Sequence, residues 1–155
     1  VDGKILMELD EFLDKLKQVL ATRKDIFVVA RTDASDTSEI IKRAKAYAEA
    51  GADAILADGI NDLDVIRTLK NQVDKPLVFN QIAGGKSPEC SLTDLKKAGV
   101  SLVNYSTPCL FAVQTAIEEE MKMLRENDGW LQKQRVGVRE CNAHLHENLA
   151  SKKNQ

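Results

Sequence analysis

Phe27-Val28-Val29-Ala30 runs straight into Arg31-Thr32-Asp33. An apolar run without alternation suits a parallel strand covered on both faces, and the abrupt change to a cation, a hydroxyl and a carboxylate marks its end. The same unit returns three times downstream. Apolar runs at 54–57, 77–79 and 102–105 lead into Asp58, Asn80-Gln81 and Tyr105-Ser106. With the first strand at 27–30, the starts lie 23 to 27 residues apart, room for a strand, a helix and two short connections.

The segments between them read as amphipathic helices with their own start and stop signals. Asp36 with Glu39 forms a capping-box pattern, Ile40, Ala44, Tyr47 and Ala48 share one face, and Gly51 suits the left-handed end. Asn61 opens the next helix, with Leu63, Ile66 and Leu69 inward and Pro76 beyond it. Ser91 opens a third, closed by Gly99. Thr107-Pro108 is a cap followed by proline at the first helical position, and that helix ends near Asp128-Gly129. Two flanking helices are expected at 8–21 and 136–149, with a connector around Trp130 and Gln134. The domain division expected is 1–130 for the βα units and 131–155 for the connector and terminal helix.

Four βα units fit a small doubly wound sheet or half of a (β/α)8 barrel, which needs about 250 residues in full. In either architecture a ligand sits at the C-terminal ends of the strands. Those ends here bring Arg31, Asp58, Asn80 and the Tyr105-Ser106 pair to one edge. Arg31 would clamp a carboxylate with its planar fork. Its other reading is a structural ion pair with Asp33 or Asp58, and spacing does not choose between them.

Composition narrows the function classes. The chain has 155 residues, 22 basic and 24 acidic, for a formal net charge of -2. Near-neutrality without a basic stripe argues against nucleic acid as a partner. No apolar run approaches the roughly 18 residues of a membrane span, and no signal segment opens the chain, so a cytoplasmic location is expected. Cys90, Cys109 and Cys141 lack metal-type spacing and are expected to be reduced thiols. Gly84-Gly85-Lys86-Ser87 imitates the tail of a phosphate loop, yet Asn80 stands where the first glycine belongs and Pro88 follows, so a rim loop is expected. His144 and His146 point to different helix faces, Cys109 lacks a base partner, and Glu118-Glu119-Glu120 reads as a solvated face.

Several ordered stretches resemble the isocitrate lyase/phosphoenolpyruvate mutase superfamily. Val28 to Ala34 is similar to its ARTDA strand, and Arg43 to Asp53 to its RAxAYxxAGAD helix. Lys75-Pro76-Leu77-Val78-Phe79-Asn80 resembles a strand ending in Asn, and Leu95 to Val100 with Tyr105 resembles its L…AGV…Y segment. The resemblance covers roughly residues 3 to 130. It implies an α/β fold of the (β/α)8 TIM-barrel type, with this chain covering about four βα units plus a C-terminal helix. It also implies a homo-oligomer, a tetramer that exchanges a terminal helix between subunits.

The chemistry implied is a Mg-dependent lyase that cleaves a C–C bond of a small 2-hydroxy or 2-oxo carboxylate through an enolate. A P–C bond mutase or hydrolase of the same superfamily, and a non-catalytic half-barrel for binding or assembly, are the alternatives. By position, Arg31 would bind the substrate carboxylate and offset enolate charge, and Asn80 would contact substrate oxygens. Asp58 falls where the family has a Glu near Mg²⁺ and its waters. Two departures stand out: Asp58 is one methylene shorter than Glu, and Ile82 replaces a polar residue, which argues against isocitrate and methylisocitrate. The family's acidic metal ligands and Lys-bearing loop are expected upstream, with Val1-Asp2-Gly3-Lys4 resembling the segment after that loop.

Overall fold

The first strand runs two residues further than its apolar stretch suggests. β1 spans Val29–Thr32, because Arg31 and Thr32 still pair with Leu56 and Ala57 of the next strand. Phe27, expected inside the strand, precedes it and is exposed. The computed structural model describes residues 4–130 and 136–152. Two compact units divide the chain at Pro108/Cys109.

The first unit contains α1 (Leu9–Thr22), β1, α2 (Thr37–Ala50), β2 (Ala54–Ala57), α3 (Leu63–Gln72), β3 (Leu77–Gln81), α4 (Leu92–Ala98) and β4 (Val100–Tyr105). The strands form one parallel sheet in the order β1-β2-β3-β4, each beside its sequence neighbour. Sequential order is that of a barrel; a doubly wound sheet reverses direction at a switch point. One irregularity interrupts the pairing. Leu77 stands opposite Val100 but Val78 opposite Leu102, so β4 carries one extra residue there, Ser101.

Helix boundaries follow local chemistry. The Asp36 side chain accepts from the Glu39 amide at 2.9 Å, but the other arm of the box is diverted: the Glu39 carboxylate accepts from Arg43 Nε at 2.7 Å. α3 is capped by Asp62, one residue after the expected Asn61, with its side chain accepting from the Asp64 amide. Ser91 caps α4 as expected, and Gly51 and Gly99 close α2 and α4 at φ near 103° and 102°.

One sheet face carries the core. Ala30, Ile55, Ala57, Leu77 and Phe79 pack with Leu16 of α1, Ile40, Ala44 and Tyr47 of α2, Ile66 and Leu69 of α3 and Leu95 of α4. Phe12 and Tyr47 stack at 4.5 Å between ring centroids. Each large side chain buried here contributes about 1.5–3 kcal/mol. Arg43 joins this side unexpectedly, only 6% exposed, paired with Glu39. Burial lowers its pKa, but hydrogen bonds with Tyr47 and Glu39 outweigh that and raise it.

The opposite, inner face is built from the alternate residues. Val29, Ala54, Leu56, Val78 and Leu102 form its apolar floor; Arg31, Asp58, Asn80, Asn104 and Ser106 follow toward the C-terminal edge. Val29 is 39% and Leu102 52% exposed, so this floor is open.

The second unit contains α5 (Pro108–Glu126) and α6 (Val138–Lys152). Pro108 takes the first helical position, but Thr107 before it is no ordinary cap. Its φ is 62°, and its hydroxyl donates to the Ser106 carbonyl at 2.7 Å. α5 ends as its Asp128-Gly129 signal implies, with the Gly129 amide donating to the Leu124 carbonyl at 2.8 Å. The Gly137 amide donates to Glu140 at the start of α6. Gln134, part of the expected connector, lies outside the described residues. Among those residues no helix is long and apolar enough to cross a membrane.

Candidate functional site

Parallel pairing brings the four strand ends level, and the backbone carries the alignment past them. The Asp58 amide donates to the Thr32 carbonyl at 2.9 Å, and the Ser106 amide to the Gln81 carbonyl at 3.0 Å. One polar chain therefore crosses the inner edge of the whole sheet.

It begins at Arg31. Nε donates to Asp33 Oδ2 at 2.9 Å and Nη2 to Asp33 Oδ1 at 2.7 Å, a side-on fork. Nη2 also donates to Asp58 Oδ2 at 2.5 Å. Nη1 has no partner among the described residues. Lys4, from the segment before α1, bonds to Asp33 Oδ1 and lies 3.7 Å from Asp58 Oδ2. Two cations thus face two carboxylates.

From Asp58 the chain continues by amides. Asn80 Nδ2 donates to Asp58 Oδ1 at 3.0 Å. Asn80 Oδ1 then accepts from Asn104 Nδ2 at 2.8 Å and from Ser106 Oγ at 2.6 Å. Asn104 Nδ2 also lies 3.2 Å from Ser106 Oγ.

The electrostatics follow from this wiring. The Arg31 fork, helped by Lys4, holds the Asp33 carboxyl down to about 2 against the opposing effect of burial. Arg31 is raised in turn, first by its hydrogen bond with Asp33. Asp58 is the most sheltered of the charged groups, 13% exposed, while Arg31 is 45% exposed.

Arg31, Asp58 and Asn80, singled out in the sequence, are linked through Asp58, whose two oxygens accept from Arg31 and from Asn80. Their neighbours diverge. Thr32 turns to the core side, where its hydroxyl accepts from the Ala34 amide at 3.2 Å. Gln81 and Tyr105 pair with each other one step beyond Asn80 and Asn104, so alternation puts them on the core side of the sheet. Tyr105 therefore leaves the polar edge, and Asn104 takes its place. Lys4 and Asn104 escaped the sequence reading. An Asn inside the apolar run 102–105 was a usable signal, since strands disfavour it; Lys4 carried none.

A cavity of about 320 Å³ opens beside Arg31, lined in part by Lys4, Phe12, Asp33, Arg43 and Tyr47. A wider depression of about 490 Å³ lies around the residues before β1, where Arg23 pairs with Asp53. It contains none of the edge groups; the smaller cavity takes in the Arg31, Asp33 and Lys4 end of the edge together with Thr32, Arg43 and Tyr47 of the core side, and not Asp58, Asn80, Asn104 or Ser106.

A divalent cation bound directly by these residues does not fit. Among the described residues no three His, Cys, Asp or Glu side chains converge. Both carboxylates are already engaged, Asp33 by Arg31 and Lys4, and Asp58 by Arg31 and Asn80.

The family model described as phosphoenolpyruvate phosphomutase matches residues 2–125. A 2-methylisocitrate lyase of Bacillus subtilis is 31% identical over 130 residues, 82% of this chain and 43% of that protein. A 2,3-dimethylmalate lyase of Eubacterium barkeri is 26% identical, across 81% of this chain and 45% of the relative. Oxaloacetate acetylhydrolase, solved with 3,3-difluorooxalacetate, superposes with a TM-score of 0.85 at 26% identity, covering 99% of this chain and 55% of its own. A crystal structure of 2,3-dimethylmalate lyase, itself titled a PEP mutase/isocitrate lyase superfamily member, gives 0.84 at 25%, covering 97% and 54%. The chain spans about half the length of the relatives it matches. Its four sequential βα units are those of a TIM-barrel-type fold, and the chain belongs to the isocitrate lyase/phosphoenolpyruvate mutase superfamily.

Proposed function

We propose that this chain supplies the carboxylate-binding edge of a lyase that cleaves a C–C bond of a small 2-hydroxy or 2-oxo carboxylate through an enolate. The observation that carries the reading is the posture of Arg31. Asp33 and Asp58 fix its guanidinium at the strand ends, Nη1 remains for a ligand, and Asn80 binds the other oxygen of Asp58. A guanidinium held in place loses little freedom on binding, so its charge is ready where negative charge develops.

In this reading Arg31 takes the substrate carboxylate and offsets the enolate. Asn80 donates to a substrate oxygen through the Nδ2 hydrogen that Asp58 does not use. Asp58 holds both of them in register. Lys4 and Arg31 balance Asp33 and Asp58, so the cluster as a whole has no surplus positive charge for a dianion. The proposed enzyme therefore includes Mg²⁺ held by carboxylates other than these, with Asp58 near its waters. Assembly as a cytoplasmic homo-tetramer with exchanged terminal helices belongs to the same proposal.

Calorimetric titration of the full-length protein with oxalate, a small planar dicarboxylate, in the presence of Mg²⁺ tests the site. Arg31→Lys keeps the charge but cannot grip Asp33 and Asp58 and still present a fixed hydrogen as Nη1 does, and is expected to weaken oxalate at least tenfold, about 1.4 kcal/mol. Equal affinity of the two proteins would refute the role of Arg31. Cleavage of 2,3-dimethylmalate, oxaloacetate or 2-methylisocitrate by the full-length protein with Mg²⁺ supports the C–C reading. Turnover of a phosphonate alone would replace it with P–C chemistry.

A further inference from the structure

The orientation of the Asn80 amide is decided by its neighbours rather than by Asn80 itself. Asp58 is ion-paired with Arg31 and Lys4, and its Oδ1 can only accept, so Asn80 must offer it nitrogen. That leaves Asn80 Oδ1 on the other side, where Asn104 Nδ2 and Ser106 Oγ both donate to it. A flipped Asn80 would set oxygen against carboxylate and nitrogen against nitrogen. Asp58, which has no hydrogen to give, sets the orientation from the β2 side, and Asn104 and Ser106 hold it from the β4 side with two donated hydrogens.

We propose that Asn104 and Ser106 are positioning residues that lock the Asn80 amide and so make the site read acceptors only. With Oδ1 fully occupied, the one Asn80 group left over is the second Nδ2 hydrogen. Arg31 Nη1 likewise offers only hydrogens. A ligand oxygen at this point must accept: a carboxylate, a keto oxygen or an enolate oxygen fits, and an amide or amine nitrogen does not. The inference deepens the carboxylate-site reading and rests on it for the ligand, whereas the amide lock stands on the protein alone.

The test separates these two layers. The probes are oxalate and oxamate, in which an amide NH2 replaces one carboxylate oxygen. The proteins are the wild type, Asn104→Ala with Ser106→Ala, and Ser106→Thr, which keeps a hydroxyl. Without ligand, the ¹⁵N-labelled wild type is expected to show two well-separated Asn80 side-chain protons exchanging slowly with solvent; the double variant is expected to show those of a free amide. Identical Asn80 signals in both would overturn the lock. With ligand, losing both anchors is expected to weaken oxalate about fivefold to tenfold, the worth of about one hydrogen bond, and to reduce the oxalate-to-oxamate preference by a similar factor. Ser106→Thr is expected to restore the wild-type ratio. A merely structural role would lower the melting temperature and leave that ratio unchanged, which overturns the selectivity claim. If the wild type shows the locked amide yet, with Mg²⁺ present, binds neither probe, the carboxylate reading fails while the lock is confirmed.

Discussion

Removing the charge of Asp33 tests the electrostatic core of the site. In Asp33→Asn the side chain keeps its size but presents one acceptor instead of two to Arg31 Nε and Nη2 and to Lys4. A carboxyl held at about 2 rather than 3.8 corresponds to about 2.4 kcal/mol of folding free energy at neutral pH. Arg31 is 45% and Lys4 50% exposed, so solvent screening reduces the expected loss to about 1.5 kcal/mol. The pH dependence carries the sign. Because the folded-state pKa is depressed, the stabilisation is present above 3.8 and disappears as pH falls toward 2. Urea unfolding followed by circular dichroism should therefore show a constant gap between wild type and variant above about pH 5, with about half of it left near pH 3. A gap that stays constant down to pH 3 would mean that geometry, not charge, sets the contribution of Asp33.

Three further substitutions probe other parts of the argument. Arg43→Ala removes both the buried stem and one of the two cations on Glu39, Lys42 remaining at 3.7 Å, and should cost about 2–3 kcal/mol in urea unfolding, whereas Arg43→Met loses the charge but restores the packing of the stem and should stay within about 1 kcal/mol of wild type. If both cost the same, the pair itself supplies the stability. Phe79→Ala removes a ring only 1% exposed and should cost about 3–5 kcal/mol by the same measurement; a loss below 1 kcal/mol would mean the sheet and helices do not share one core. Thr107→Gly releases a β-branched residue from φ 62° and should raise the unfolding free energy by about 0.5–1 kcal/mol; a lower value would show that the hydroxyl bond to Ser106 outweighs the strain.

The helices were legible because their signals are local. Asp36, Ser91, Gly51 and Gly99 act within a few residues of where they stand, and each was placed correctly. The α3 cap slipped by one because Asn61 and Asp62 are both good caps, and the choice depends on which one reaches the Asp64 amide. Strand ends were harder. Arg31 and Thr32 do not look like strand residues, and only pairing with Leu56 and Ala57 makes them so. Within the site, Arg31, Asp58 and Asn80 could be read because each directly follows or ends an apolar run. Lys4 could not, since its role depends on where the chain before α1 folds back. Arg43 was missed for the opposite reason: nothing in a charged residue announces burial, and its partner Glu39 had already been assigned to the cap.

Ser101, the extra residue in β4, determines which chemistry that strand contributes. Side chains along a strand obey parity, and one added residue reverses it for everything downstream unless, like Ser101, it is left out of the pairing as a bulge. Because of Ser101, Asn104 stands opposite Asn80 and Ser106 follows on the same face. Were Ser101 paired in the ladder instead of passed over, the parity would flip, turning Val103 and Tyr105 inward and Asn104 and Ser106 toward the helices. The loop sequences and the fold would be untouched, yet an amide and a hydroxyl at the site would become an isopropyl group and a phenol. A one-residue slip of register can thus act as a substitution of two site residues at once, and the bulge prevents it.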